Sequence, residues 1–271
     1  MGPHPDRAKQ DAEALLLYLL DKDKAWLMAH RDTELSDEQA TRYMELLERR
    51  YRGEPIQYIT AEAEFYGLPF RVTPDVLIPR PETEHLVEKV LELAACFAKP
   101  RIVDVGAGSG AIAVALAHHL PNAAITAIDL SAPALTIARG NAELNGVADR
   151  IRFLEGDLLT PVVGQQFEIV VSNPPYVPLS DRGSLAVEVR DYEPAAALFA
   201  GDDGLDVYRR LIPAAFDALV PGGFVDLEIG YGQSQAIKEL LVESGFEQIE
   251  FLPDFKKIPR VASAQRPASL V

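Results

Sequence analysis

Phe167-Glu168-Ile169-Val170-Val171-Ser172-Asn173-Pro174-Pro175-Tyr176 is a short apolar, β-branched run that meets two consecutive prolines. Its composition and length read as a buried strand. Neither proline can donate to a ladder and each fixes its own φ, so the strand stops in a rigid corner. A corner at a strand's carboxyl end lies on the edge where open parallel α/β sheets bind ligands. Asn173 stands there with a side-chain carbonyl and amide, Pro174 offers a backbone carbonyl, and Tyr176 brings an aromatic face and a hydroxyl. That set suits the activation of an amide or exocyclic amino nitrogen, whose lone pair is delocalised. Two fixed carbonyl acceptors would bond its two N–H groups, aim the lone pair and stabilise the developing positive charge. A plain turn is the alternative, because Asn-Pro dipeptides commonly mark turns.

Upstream, Ile102-Val103-Asp104-Val105 is a second apolar strand, followed without a gap by Gly106-Ala107-Gly108-Ser109-Gly110 and a helical stretch over 111–120. Glycines at a strand-to-helix turn let backbone approach a ligand closely, and the helix start favours hydrogen-bond acceptors. The strand Ala124-Ile125-Thr126-Ala127-Ile128 ends in Asp129, which can accept from both hydroxyls of a ribose. The turn serves any adenosine-type cofactor. Gly106, Gly108 and Ala111 also satisfy the G-x-G-x-x-A form of the dinucleotide fingerprint, so a nicotinamide dehydrogenase stays open at this point. Against it, His118 and His119 lie at the far end of the helix, and His30 and His85 lie in the front portion, leaving no proton-handling group at the strand ends.

A further strand is expected over 151–158, where Asp157 can accept from an adenine amino group and Leu158 can pack on the ring. A simple turn after a strand is the alternative there. After the proline corner comes a polar stretch over 178–204 with Glu188, Asp191, Glu193, Asp202 and Asp203. A helix to Val220, a Pro221-Gly222-Gly223 turn and a strand over 224–229 continue the alternation, which implies a parallel sheet with helices on both faces.

The chain's 271 residues suffice for one large or two ordinary domains. A formal net charge of −15 argues against a broad phosphate-binding surface, hence against direct nucleic-acid binding. Cys96, the one cysteine, excludes an intrachain disulfide and a cysteine metal cluster; its apolar neighbours predict a buried position. No basic region followed by an apolar stretch opens the sequence, and the Leu15–Leu20 run is too short for a bilayer, so a cytoplasmic protein is expected.

The residues up to about Gly53 are expected to be helical. Ala8, Ala12, Leu15, Leu16 and Leu19 share one face, and Ser36 followed by two acids is a helix start for a second face of Ala40, Tyr43, Met44, Leu47 and Tyr51. Arg49, Arg50 and Arg52 then read as a solvated helix end. This block is too small to hold a catalytic core, so an accessory or substrate-docking role is expected. The aromatic runs around Gly67 predict a hairpin, and Pro81 before Glu82 and Glu84 predicts a helix start, with Arg80 held extended between prolines.

These residues resemble the class I S-adenosylmethionine-dependent methyltransferases and, more narrowly, the release factor glutamine methyltransferases of the PrmC/HemK type. The resemblance covers nearly the whole chain beyond the variable helices. It rests on Gly53-Glu54-Pro55-Ile56-Gln57-Tyr58-Ile59, Ile78-Pro79-Arg80-Pro81-Glu82-Thr83-Glu84, the glycine turn, Asn173-Pro174-Pro175-Tyr176, Leu227-Glu228-Ile229-Gly230 and Pro259-Arg260-Val261. It implies a Rossmann-like, mostly parallel seven-stranded sheet preceded by a small helical domain. The expected spans are 1–60 for the docking helices, 61–80 for a hairpin and extended linker, and 81–271 for the methyltransferase domain. By position it places cofactor contacts on Gly106, Ala107, Gly108, Ser109, Gly110, Asp129, Leu130, Asp157, Leu158 and Asn173. Catalytic and substrate contacts fall on Asn173, Pro174, Pro175 and Tyr176, with Arg80 and Glu82 beside them. The family often carries an aromatic residue where this chain has Leu158. The implied reaction is methylation of the glutamine side-chain N5 in the Gly-Gly-Gln motif of peptide chain release factors, giving S-adenosylhomocysteine, without metal. The corner alone is shared with ribosomal-protein glutamine methyltransferases and DNA adenine-N6 methyltransferases, which stand as alternatives. A non-catalytic cofactor-binding adaptor would have no use for amide-orienting acceptors.

Overall fold

The computed structural model describes residues 5–268; the outermost residues of the spans expected at 1–60 and 81–271 lie outside that range. Contacts divide the chain into two compact units. One is Met1–Glu62 with Leu185–Tyr192, the other Ala63–Ser184 with Glu193–Val271.

The smaller unit holds α1 (Pro5–Leu20), α2 (Lys24–Ala29), α3 (Asp37–Tyr51), α4 (Ile56–Thr60) and, from far along the chain, α8 (Val187–Tyr192). Leu15, Leu46 and Ile59 are its buried centre, with Leu19, Tyr43, Leu47 and Ile56 packed around them. Ser36 caps α3 reciprocally: its hydroxyl accepts from Gln39 N–H (3.2 Å) while the Gln39 side chain accepts from Ser36 N–H (2.9 Å). The inward face of α3 differs from the expected one. Ala40, Met44 and Tyr51 are exposed, and the buried positions are Leu46 and Arg50. The reason is electrostatic. Arg50 is only 5% exposed, donates to Asp11 (2.6 Å) and to Glu188, and gives a third hydrogen bond to the Glu54 carbonyl (3.2 Å). The expected solvated cluster is therefore a buried guanidinium with satisfied donors, flanked by Arg49 paired to Glu54 and Arg52 paired to Glu48. α8 is held to this unit through Glu188, and a Cβ on Gly53 (φ +96°) would meet the Val187 side chain at 2.7 Å.

The larger unit, from Ala63, opens on a hairpin of β1 (Glu62–Phe65), whose first residue closes the smaller unit, and β2 (Leu68–Arg71). Both residues of its two-residue turn, Tyr66 and Gly67, have positive φ (+53° and +71°), the geometry that matches the twist of paired strands. A short 3-10 turn, Pro81–Thr83, leads into α5 (Glu84–Ala94). Then come β3 (Arg101–Val105), α6 (Ala111–His119), β4 (Ala124–Asp129), α7 (Ala132–Leu144), β5 (Ile151–Glu155) and β6 (Phe167–Ser172). After the loop beyond β6 follow α9 (Asp206–Ala218), β7 (Leu219–Glu228), α10 (Ser234–Glu243), β8 (Glu247–Pro253) and β9 (Pro259–Gln265). The seven-stranded sheet runs β5-β4-β3-β6-β7-β9-β8, parallel except for β9, which is antiparallel to both neighbours. Because β4 lies on one side of β3 and β6 on the other, the winding reverses between β3 and β6, and a crevice forms outside their carboxyl ends. The register sets the two motifs level: Asp104 pairs with Val171, and the Ser172 hydroxyl donates to the Val105 carbonyl (2.6 Å). Gly106 and Asn173 are the next residues on each strand.

Three local expectations are corrected. Cys96 is exposed, because α5 ends at Ala94 and the chain turns (Cys96 N–H to Leu93 O, 3.0 Å) away from the face bearing Leu86, Val90 and Leu93. β5 stops at Glu155, so Asp157 and Leu158 lie in the following turn. Pro221-Gly222-Gly223 is not a turn before a strand but a bulge within β7, where two residue steps on β6 face five on β7. The Gly222 and Gly223 backbone stays in the ladder through bonds with Arg266 (3.0 and 2.8 Å).

Asp104 sits under the glycine turn with no exposure, its Oδ2 accepting from Ala113 N–H (3.1 Å). Burial, with a contribution from the Asp129 charge, pushes its carboxyl from 3.8 up to about 7. The folded state thus holds a proton that the unfolded chain has already released, and the group's contribution to stability is lost as pH rises from about 4 through 7. Asp104→Asn removes that dependence. In denaturant titrations the variant should gain about 2–3 kcal/mol over the parent between pH 5 and pH 8. Stability curves that stay parallel across that range would refute the assignment.

Candidate functional site

The glycine turn exploits conformations closed to other residues. Gly106 and Gly108 have φ of +76° and +54°, and a Cβ on either would meet no protein atom within 4 Å. The backbone therefore presents an open cradle that side chains would fill. Gly106 and Ala107 N–H both donate to the Ile128 carbonyl (2.8 and 3.0 Å), which fixes the turn to the end of β4. Asp129 locks it from the side, its two oxygens accepting from Gly108 N–H (2.7 Å) and Ser131 N–H (2.8 Å). Each carboxylate oxygen keeps a second lone pair for a ligand hydroxyl. Leu130, next in the chain, is 69% exposed and sets an apolar side chain beside this carboxylate. Leu158 has φ of +50° and packs against the core, while the Asp157 carboxylate is engaged by Arg210.

At the proline corner, Asn173 Nδ2 donates to Thr83 Oγ1 (3.1 Å), and Thr83 Oγ1 donates to Glu228 Oε2 (2.6 Å). The other oxygen of Glu228 accepts from the Tyr176 hydroxyl (3.2 Å), and its backbone carbonyl from the buried Tyr208 hydroxyl (2.6 Å). Burial raises the Glu228 carboxyl, opposed by its hydroxyl donors and by Arg260. Burial and the Glu228 charge also push the Tyr176 phenol far up, so it remains a donor. The Tyr176 hydroxyl is thereby committed inward, and the ring is what the residue offers at the corner. Gln233 braces the same loop: Oε1 accepts from Gly230 N–H (2.9 Å) and Nε2 donates to the Tyr176 carbonyl (3.0 Å). A Cβ on Gly230 would lie 3.0 Å from the Tyr176 ring, and one on Gly204 would collide with the Tyr176 carbonyl, so both glycines are close-packing requirements.

The structure thus brings the glycine turn, Asp129 and the proline corner to one crevice. Arg80 is bound to the buried Glu193 carboxylate (2.5 Å), and Glu82 is exposed, its charge reaching Glu228. Thr83, next after Glu82, is the residue of that segment that hydrogen-bonds Asn173. Sequence reasoning missed Thr83, Glu228 and Gln233, and also Asn141. The fully buried Asn141 side chain bonds both backbone groups of Arg71 (2.7 and 2.9 Å) and the Ser109 carbonyl (2.8 Å), pinning the hairpin to the glycine turn. The only available signal was polar residues in otherwise apolar or motif-bearing runs. A cavity of about 620 Å³ opens at the amino ends of the strands, among Arg101, Thr126, Arg152 and Gln166, and holds none of these motifs. Among the described residues, no group of three or more His, Cys, Asp or Glu side chains is placed to hold a metal, and no helix is long and apolar enough to cross a membrane.

Two family models match the chain: the PrmC N-terminal domain over residues 4–60 and the methyltransferase small domain over residues 82–188. The release factor glutamine methyltransferase of Koribacter versatilis is 42% identical over 259 residues, covering 95% of this chain and 91% of its own. That of Moorella thermoacetica is 43% identical over 262 residues, covering 96% and 92%. Among solved structures, a methyltransferase from Pyrococcus furiosus superposes with a TM-score of 0.53 at 20% identity, over 74% of this chain and 90% of that one. The catalytic domain of hMettl16 reaches 0.61 at 17% identity, over 87% and 83%. At such identities the two structures bear on the fold alone, and the crevice between β3 and β6 belongs to that fold.

Proposed function

The chain belongs to the release factor glutamine methyltransferases, and on that premise we propose that its proline corner holds the glutamine side-chain amide of a Gly-Gly-Gln motif for methylation at N5. The protein is an S-adenosylmethionine-dependent protein-glutamine methyltransferase, and peptide chain release factors are its substrates. A cytoplasmic location follows from substrates that work on the ribosome.

The residues present fit the cofactor. The open cradle at Gly106 and Gly108 admits a ligand against backbone, the Asp129 oxygens have lone pairs left for ribose hydroxyls, and Leu130 offers an apolar face for adenine. When bound, S-adenosylmethionine supplies a methyl group on a positively charged sulfonium. Every other requirement falls on this chain. Asn173 Oδ1 and the Pro174 carbonyl accept from the two amide N–H groups, turning the nitrogen lone pair out of conjugation and toward the cofactor side. The same two acceptors stabilise positive charge as it develops on nitrogen. The Tyr176 ring covers the amide plane and excludes water from it. No strong base is needed, since the alkylated amide nitrogen is acidic enough to release its proton to solvent. The α1–α4 unit serves as the docking element for the release factor.

The observation that carries this reading is the level placement of Asn173 and the glycine turn across β3 and β6. The test is methyl transfer from labelled S-adenosylmethionine to a purified release factor, beside its Gln→Ala variant in the Gly-Gly-Gln motif. Label on the parent factor alone is expected. Label on both, or on neither while a ribosomal protein or DNA is labelled, would overturn the proposed target.

A further inference from the structure

We propose that Thr83 and Glu228 are positioning residues that hold the Asn173 amide the right way round, with Oδ1 toward the substrate and Nδ2 toward the protein. The inference rests on the reading of Asn173 as the amide-orienting acceptor and deepens it. An asparagine amide turns about a broad, nearly two-fold torsion, so its oxygen and nitrogen can exchange places at small cost. That exchange is fatal here. An inverted Asn173 would meet the substrate's N–H groups with N–H groups of its own.

Hydrogen-bond polarity prevents the inversion. Thr83 has one hydroxyl proton, and the 2.6 Å bond commits it to Glu228 Oε2. Toward Asn173 the Thr83 oxygen has only lone pairs left, so it selects the donor end of the amide, Nδ2, at 3.1 Å. Placing Oδ1 there would set two acceptors against each other in a buried site, because Thr83 is 4% and Glu228 2% exposed. Glu228 is itself held by Tyr176 on its second oxygen and by Tyr208 on its backbone carbonyl, so the polarity starts from a fixed acceptor. The geometry of the chain supports the arrangement: Pro81 starts the short 3-10 turn that ends at Thr83, and β7 ends at Glu228. Arg260 and Glu82 are the charges acting on the Glu228 carboxylate besides its hydroxyl donors.

The test is single-turnover methyl transfer to a release factor at saturating S-adenosylmethionine, using the full chain, with cofactor Kd and thermal midpoint measured on each variant. Thr83→Val keeps the shape and deletes the hydroxyl; it should lower the rate about ten- to thirtyfold, the scale of leaving the Asn173 N–H without its acceptor, with cofactor Kd unchanged. Thr83→Ser, which restores the hydroxyl, should recover the rate to within about threefold of the parent. In an Asn173→Ala background Thr83→Val should have no further effect, since nothing is left to orient. Glu228→Met, of similar volume, removes the acceptor that commits the Thr83 proton and should repeat the Thr83→Val loss; it serves if the valine variant does not fold. A parental rate in Thr83→Val or Glu228→Met, equal losses in Val and Ser, or an undiminished loss in the Asn173→Ala background would each overturn the relay. A parental rate in Asn173→Ala alone would instead bring down the reading of Asn173, a separate outcome from silent Thr83 variants beside a disabled Asn173→Ala.

Discussion

Asn173→Ala should lower kcat for release factor methylation by about 10²–10³-fold while moving the S-adenosylmethionine Kd by no more than about threefold. The size follows from what the side chain contributes. One preorganised dipole aimed at developing charge is worth that much in kcat, because it needs no reorganisation as the charge appears. The asymmetry follows from position: the cradle of Gly106, Gly108 and Asp129 is built from β3, β4 and the turn between β3 and α6, and none of its hydrogen bonds involves Asn173. The fold should tolerate the change, since Asn173 is half-buried and Ser172 anchors the strand end independently. Equal losses in kcat and in cofactor affinity would make Asn173 a cofactor ligand and leave Pro174 as the main orienting acceptor.

Two neighbouring glycines should fail in opposite ways. In Gly108→Ala the new Cβ meets no protein atom, so folding loses only the cost of an alanine in the left-handed region, about 1–2 kcal/mol. The methyl group would project into the open cradle, and cofactor affinity should fall at least about 100-fold, as expected when a ligand approaches bare backbone. Gly110→Ala meets Ala138 Cβ at 3.0 Å and its Cα at 3.2 Å, where α6 and α7 pack closely. That variant should lose roughly 2–4 kcal/mol of stability from overpacking and strain together. Calorimetric titration of cofactor and thermal unfolding on the pair separate the two effects. Intact cofactor binding in Gly108→Ala would remove the glycine turn from the cofactor site.

Local signals made the architecture readable. Strand, glycine turn and helix follow one another within twenty residues, and the proline corner ends its strand by covalent constraint. Both features act through neighbours in sequence, so pattern and placement coincide. What stayed hidden acts over long separations. Thr83 and Glu228 are 145 residues apart, and although both lie in stretches that carry the resemblance, nothing in either stretch pairs them. Asn141 sits in a helix whose pattern gives no hint that its amide ends at Arg71 and Ser109. Arg50 looked like a solvated helix end because its partners, Asp11 and Glu188, come from 39 and 138 residues away. Propensity registers the helix and cannot register the carboxylates that make burial of a guanidinium tolerable. Cys96 failed for a smaller reason: one turn at the end of α5 moved it off the apolar face.

The route of the chain carries a consequence for dissecting this enzyme. The backbone passes between the two compact units three times, at 62/63, 184/185 and 192/193. A catalytic fragment begun after Glu62 would still contain Val187–Tyr192, a six-residue helix stripped of Asp11, Arg50 and Gly53. So short a helix does not persist alone in water. Such a fragment would gain a frayed, protease-sensitive segment starting nine residues beyond Pro178. Deleting the amino-terminal helices is therefore a double lesion, and point substitutions on their exposed faces are the cleaner way to test the proposed docking role apart from chemistry.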